Sequence, residues 1–217
     1  MQKYDYIFTD LDGPILDGKY KHYNCYRDII NKYNGIPLDI DEYWDFKRNM
    51  VKRDIVLSKS DFKGTYTDYM NAWMKNIEKK KYLQYDLLKP NIIEALTEIK
   101  RHTYNLYLVT MRNNANNLFW QLNNYNLISL FDKIIICPSN GVSHPKYNAL
   151  KDLAFIHAIF IGDTEEDTLT AKKLGIPCIG ITNGLRTKSH LSADYYVDEI
   201  RDINLNIIDG YKMNTLL

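Results

Sequence analysis

Tyr4-Asp5-Tyr6-Ile7-Phe8-Thr9-Asp10-Leu11-Asp12-Gly13-Pro14 is the stretch on which the fold turns. Its first six residues have the length and the Tyr, Ile and Phe content of a strand, and Gly13-Pro14 is a turn signal that takes the chain out of a sheet. Residues two apart on a strand share a face, so Asp10 and Asp12 crowd one loop mouth where the strand ends. Crowded carboxylates repel unless a divalent cation or a basic side chain compensates. Hard oxygen donors with no His or Cys nearby favour Mg²⁺ over zinc. Taken alone, an Asp-x-Asp pair reads equally well as a helix cap or a solvated turn.

Working outward, residues 106–110, 133–137, 156–161 and 178–182 form four more short apolar runs that stop at Asp, Gly, Pro or Asn. Their nearly continuous apolar character predicts strands covered on both faces, as in a parallel sheet. Helical patterns fall between them, over 90–102, 114–125, 145–153 and 164–174, the last closed by Gly175. Alternation of this kind predicts an α/β class: a doubly wound, Rossmann-like parallel sheet. Residues 15–88 break the alternation. They contain no convincing strand and read as amphipathic helices over 21–33, 39–47 and 65–80. The expected organisation is a core domain of residues 1–14 and 89–217 with an α-helical cap domain, 15–88, inserted after strand one. A chain of 217 residues is long enough for that core and a small lobe.

Composition narrows the function. Twenty-eight Lys and Arg against 27 Asp and Glu leave a net charge of +1, which supplies no field to steer nucleic acid or an anionic membrane. Cys25, Cys137 and Cys178 are odd in number and far apart, as expected of reduced thiols, with Cys137 and Cys178 in the core. The N-terminus meets a carboxylate by its fifth residue, which fits neither a signal peptide nor a membrane span, so a cytoplasmic location is expected. The five histidines show no metal-ligand spacing; His144 lies close to Lys146 in sequence but suits packing or the surface better.

Ligands of open α/β sheets bind beyond the carboxyl ends of the strands, so the residues there decide the chemistry. Beyond Asp10 and Asp12 these are Thr110-Met111-Arg112, Lys146 at the start of a helix, and Gly162-Asp163-Thr164-Glu165-Glu166-Asp167. Each has an ordinary explanation. Thr110 suits a helix cap, and the acidic run suits a helix N-terminus, where Glu165 and Glu166 favour the dipole. Lys146 is disfavoured by that dipole, a misplacement that makes sense if it faces an anion or the Asp cluster. Lys151 is a weaker competitor for the same role.

Together the segments resemble the haloacid dehalogenase superfamily, and within it the phosphatases with a helical cap after the first strand, such as phosphoglycolate phosphatase and β-phosphoglucomutase relatives. Asp10-Leu11-Asp12-Gly13-Pro14 is similar to the family's DxDGT, with Pro14 in place of the usual Thr. The segment ending in Thr110 resembles its second motif, Lys146 its third, and residues 162–167 its GDxxxD. The tail segments 176–184 and 193–197 are similar as well. The resemblance implies that Asp10 attacks phosphorus and forms an aspartyl-phosphate, and that Asp12 serves as general acid and then base. For that role Asp12 must enter the first step protonated, which burial under a closed cap favours. It also implies Mg²⁺ held by Asp10, the main-chain carbonyl of Asp12, and Asp163. Thr110, Lys146 and the loop at Leu11 and Asp12, with Met111 and Arg112 alongside, would bind the phosphoryl group, and Asp167 would orient Lys146 or the metal waters.

The implied ligand is a small phosphorylated metabolite, with no nucleic acid or membrane partner and with the chain a monomer or homodimer. Two alternatives stay open. A sugar phosphomutase would need the same aspartyl-phosphate, with the cations of residues 46–53 gripping a second phosphate. A non-catalytic binding module could keep the fold alone. Dehalogenase chemistry fits less well, because it does without metal and without an acid at position 12.

Overall fold

The computed structural model describes residues 3–138 and 141–205. The chain runs β1 (Tyr4–Thr9), β2 (Leu16–Asp17), α1 (Lys19–Lys32), α2 (Ile40–Arg48), α3 (Arg53–Lys59), α4 (Tyr66–Asn76), α5 (Lys80–Leu83) and β3 (Leu87–Leu88). It continues through α6 (Ile92–Arg101), β4 (Thr103–Thr110), α7 (Ala115–Asn124), β5 (Lys133–Ile136), α8 (Pro145–Leu150), β6 (Ala158–Gly162), α9 (Glu165–Leu174), β7 (Cys178–Ile181) and β8 (Tyr195–Val197).

Six of these strands make one parallel sheet in the order β5-β4-β1-β6-β7-β8. β1 is central, with Thr9 level with Leu108 on one side and Ile161 on the other. The chain builds outward from β1 to β4 and β5, then returns to lay β6, β7 and β8 on the opposite side. That reversal opens a crevice at the carboxyl end of β1, the place where doubly wound sheets bind ligands.

Alternating side chains send β1 into two cores, as a strand buried on both faces must. Ile7 joins Leu106, Leu108, Ile159 and Ile179 under α6 and α7. Phe8 joins Val109, Phe160 and Cys178, with Leu150 of α8 and Ala171 of α9 packed over them. Helix ends follow local chemistry. Thr164 and Asp167 form a capping box at the start of α9, and Gly175, at φ +69°, closes it in the left-handed conformation.

The helical lobe has its own apolar centre, built from Tyr26, Ile29, Tyr43, Leu57, Tyr69 and Trp73 among others. Its edges differ from expectation. β2 and β3 pair antiparallel at the crossing between core and lobe, with Leu16 opposite Leu88. Each is two residues long and exists through its partner, so no periodic pattern announces it. Ile15 and Leu16 belong to the main core, which places the crossing at this strand pair. α3 was not expected, and the pattern over 65–80 divides into α4 and α5. β8 is a sixth strand that the sequence pattern does not mark. Ile156 is 97% exposed and precedes β6, because its N–H is tied down by the Asp5 carboxylate at 2.8 Å outside the sheet.

Two sets of contacts seat the lobe over the strand ends. Glu78 accepts the backbone N–H groups of Asn113 and Asn114 at 3.0 and 2.7 Å, just ahead of α7. Arg48 donates to the Thr182 carbonyl at 2.5 Å. Cys25, Cys137 and Cys178 are buried free thiols, Cys137 lying just past the end of β5. Among the described residues no helix is long and apolar enough to cross a membrane.

Candidate active site

Asp10 follows β1 directly, and its N–H is held by the carbonyl of Ile161 on β6 at 3.0 Å, which keeps it in line with the sheet. Its Oδ1 accepts the Leu11 N–H at 2.7 Å, and its Oδ2 lies 2.9 Å from Lys146 Nζ. Lys146 is 1% exposed and divides its ammonium between Asp10 and Asp167, the latter at 2.6 Å. The misplaced helix-start lysine therefore faces the Asp cluster, whereas Lys151 is exposed. Asp163 follows β6 and is fully buried. Gly13, at φ +102°, and Gly184 make room for it: a Cβ on either would stand 1.8 or 2.3 Å from Asp163 Oδ2. That oxygen accepts the Leu185 N–H.

Oxygens of Asp10, Asp163 and Asp167 lie within 4.8 Å of one another. The electrostatics follow from three carboxylates sharing one lysine. Burial, with help from Asp167 and Asp12, pushes the Asp10 carboxyl up to about 7 against the pull of Lys146. Burial, Asp10 and Asp167 push Asp163 well above the carboxylate range. Burial opposes the charge of Lys146, but Asp10 and Asp167 outweigh it and raise that pKa.

Asp12 lies outside this group. Its Oδ1 meets Lys21 Nζ at 2.5 Å and Arg112 at 2.8 Å. Lys21 also pairs with the fully buried Asp86 at 2.9 Å, and Gln121 donates to Asp86 at 2.6 Å and accepts from Arg112 at 3.2 Å. Burial pushes the Asp12 carboxyl up, but Arg112 and Lys21 override it and hold it down at about 2. Burial alone favours a protonated Asp12, and in this arrangement Arg112 and Lys21 favour the ionised side chain instead.

Asp10, Asp12, Thr110, Met111, Arg112 and Lys146 line one cavity of about 270 Å³. Thr110 does not cap a helix with its side chain; its Oγ1 is buried without a hydrogen-bond partner in this cavity. Arg112 gives its Nη2 to Asp12 and Gln121, while its Nε is buried without a partner. Leu11 is buried and contributes its backbone. Asp167 has little capacity left: Lys146 takes Oδ1, while Oδ2 accepts from the N–H of Asp163 and from Thr164. It is the second carboxylate held by Lys146.

Sequence reasoning missed Lys21, Asp86, Gln121 and the lobe wall of the cavity, which includes His22, Trp73, Met74, Ile77 and Glu78. A signal existed for Lys21, since it shares the buried i, i+4, i+8 stripe of α1 with Cys25 and Ile29. Lys47, Lys52 and Arg53, from the cationic segment singled out in the sequence, line a second cavity of about 260 Å³ with Arg186.

The donor set fits Mg²⁺. Asp163 Oδ1 is buried with no hydrogen-bond partner, the donors are hard oxygens, and the cluster carries more negative charge than Lys146 neutralises.

A family model described as haloacid dehalogenase-like hydrolase matches residues 6–181. The phosphoglycolate phosphatase of Rhodobacter capsulatus is 22% identical over 220 residues, covering 94% of this chain and 97% of its own. Among solved structures, a predicted phosphatase from Clostridium acetobutylicum superposes with a TM-score of 0.73 at 23% identity, over 96% of this chain and 100% of the other. A predicted phosphoglycolate phosphatase from Haemophilus somnus 129pt gives 0.73 at 17% identity, over 96% and 99%. At these identities the structural likeness establishes the fold.

Proposed function

The chain belongs to the haloacid dehalogenase-like hydrolase family, and we propose that within it the protein is a magnesium-dependent phosphatase that cleaves a small phosphorylated metabolite through an aspartyl-phosphate on Asp10. One observation carries this reading. The Asp10 carboxylate sits 2.9 Å from Lys146 Nζ, on the same cavity as the unpartnered Thr110 hydroxyl. A nucleophile, a cation and a neutral donor converge where a phosphoryl group would be held. Residues 15–88 act as the cap domain over that cavity, and Glu78 and Arg48 seat it on the core.

In the first half of the reaction an Asp10 oxygen attacks phosphorus in line, the bond from phosphorus to the leaving oxygen breaks, and Asp12 gives that oxygen a proton. In the second half water gives a proton to Asp12 and its oxygen to phosphorus. The bond to Asp10 then breaks, inorganic phosphate leaves, and the carboxylate returns. Lys146, Thr110 and the loop N–H groups hold the non-bridging oxygens, and Asp167 keeps Lys146 in place. Asp10, Asp163 and the main-chain carbonyl of Asp12 would hold Mg²⁺, which when bound offsets repulsion between the anionic nucleophile and the phosphoryl oxygens. Asp12 is ionised as drawn, the state the second half needs. The first half needs a proton on Oδ2, so a looser grip by Arg112 accompanies that step while Lys21 keeps hold of Oδ1.

The test is phosphate release from a panel of phosphorylated metabolites, with and without Mg²⁺, by the wild type and Asp10→Asn. Mg²⁺-dependent release that the variant loses is the expected result. No release from any compound would move the assignment to the mutase or the non-catalytic module. The mutase has one observation in its favour: among the described residues no carboxylate lies within ion-pair distance of Lys52 or Arg53, which line the second cavity with Arg186, and burial with the neighbouring Arg53 and Arg186 pushes Lys47 down to about 7, so an anion there would restore its charge. Product analysis on a sugar monophosphate with its bisphosphate primer separates the two, since a mutase returns the phosphoryl group to sugar and a phosphatase releases it.

A further inference from the structure

Lys21 is 2% exposed on the face of α1 that packs the apolar centre of the lobe, yet its ammonium leaves that centre and crosses into the core. A buried ion pair is weak support for stability, since apolar residues of similar volume commonly do as well. The atoms it reaches point to a different role. Lys21 Nζ meets Asp12 Oδ1 at 2.5 Å, and Arg112 approaches the same oxygen from the core at 2.8 Å. Among the described residues no hydrogen bond or ion pair reaches Asp12 Oδ2, while the side chain keeps 25% of its surface open beside the cavity that Asp10, Thr110 and Lys146 line. The carboxylate is pinned through one oxygen and presents the other. Lys21 is itself anchored by Asp86 at 2.9 Å, one residue before β3 at the crossing between lobe and core, and Gln121 fixes Asp86 at 2.6 Å.

We propose that Lys21 is a positioning residue of the reaction: arriving from the lobe, it holds Asp12 by Oδ1 so that Oδ2 faces the leaving oxygen, and it ties proton transfer to the seating of the lobe. The inference rests on the reading of Asp12 as the proton carrier. It concerns a residue with no contact to Asp10, and its consequences differ from those of a simple structural pair. A structural pair costs every substrate equally when broken. A device that aims a proton at the leaving oxygen costs most where the leaving group is basic and least where it departs unaided.

The measurement is kcat/KM at saturating Mg²⁺ for substituted phenyl phosphates, from p-nitrophenyl phosphate to unsubstituted phenyl phosphate, which follows the first half of the reaction. Lys21→Met should lose about tenfold or more on phenyl phosphate and only a few-fold on p-nitrophenyl phosphate, with an unchanged Mg²⁺ requirement. Lys21→Arg should recover most of the loss. Should Lys21→Met misfold because Asp86 is left unpaired, Lys21→Met/Asp86→Asn removes both charges and should show the same steepened dependence. An equal loss across the series, or no loss, would overturn the proposal. Asp12→Asn run alongside separates the two ideas. If it too shows no steepening, the role of Asp12 fails; if it steepens and Lys21→Met does not, the role of Lys21 alone fails.

Discussion

Two buried charge clusters stand side by side at the end of β1, and they are balanced differently. Asp10 and Asp167 pair with Lys146 and Asp163 adjoins them, three carboxyl groups against one cation. Asp12 and Asp86 face Lys21 and Arg112, two against two, and nearly every contact is internal. The first cluster comes from strand ends of the core alone. It is left with an unpartnered Asp163 oxygen, and an unpartnered Thr110 hydroxyl lies on the cavity that Asp10 and Lys146 line. The second spans the crossing between lobe and core and balances its charge, although Asp86 Oδ1 and Arg112 Nε stay buried without a partner. A buried cluster with an excess of carboxyl groups is where a ligand is needed, and one whose charges balance is where geometry is held.

Breaking the first cluster at its nucleophile should have the largest effect. Asp10→Asn should lower kcat by about 10⁴-fold or more, measured as Mg²⁺-dependent phosphate release, because an amide is a very poor nucleophile. Lys146→Met should cost about 10²- to 10³-fold in kcat/KM. It should also destabilise the metal-free protein by about 3–5 kcal/mol in urea unfolding, since it strips three buried carboxylates of their cation. Thr110→Val sharpens the contrast: a similar loss of activity with stability unchanged within about 0.5 kcal/mol, because the hydroxyl has no protein partner to lose. Asp163→Asn should raise the Mg²⁺ concentration for half-maximal activity by at least about tenfold. An unmoved Mg²⁺ titration would remove Asp163 from the ligand set.

The smallest effect is the pH dependence of stability, and its sign differs between the clusters. Asp10 is raised from 3.8 to about 7, so its contribution is fully present below pH 3.8 and is lost as pH rises through 7. Asp12 is lowered from 3.8 to about 2, so its contribution is present above pH 3.8 and is lost as pH falls through 2. Thermal unfolding of metal-free protein should therefore show a component that weakens between pH 4 and 7. Asp10→Asn should reduce it and leave the part due to Asp163, which is raised as well, and Mg²⁺ should flatten it. A decline unchanged in Asp10→Asn would assign it to other groups.

The same contrast governs what the sequence discloses. Every member of the first cluster was legible because each follows a strand end or opens a helix beside one, positions that the apolar runs locate before any contact is known. The second cluster was half legible: Asp12 and Arg112 follow strand ends, whereas Lys21 and Asp86 owe their meeting to the path of the lobe, which helical periodicity does not specify. The pull of two cations on Asp12 was not legible for that reason. Burial was foreseeable, but the two cations that outweigh it arrive from distant chain positions. In the fold, the alternation of strands and helices was readable, while β2 and β3 were not, because two-residue strands carry no period and form only through each other.

The central claim is that Asp10 carries the phosphoryl group, and the direct test is acid-quenched wild-type protein, caught during turnover with Mg²⁺ and examined by peptide mass spectrometry. The account predicts one hydroxylamine-sensitive phosphoryl adduct on the peptide containing Asp10, absent from Asp10→Asn. Phosphate release with no adduct on Asp10, or with an adduct on another residue, would contradict it.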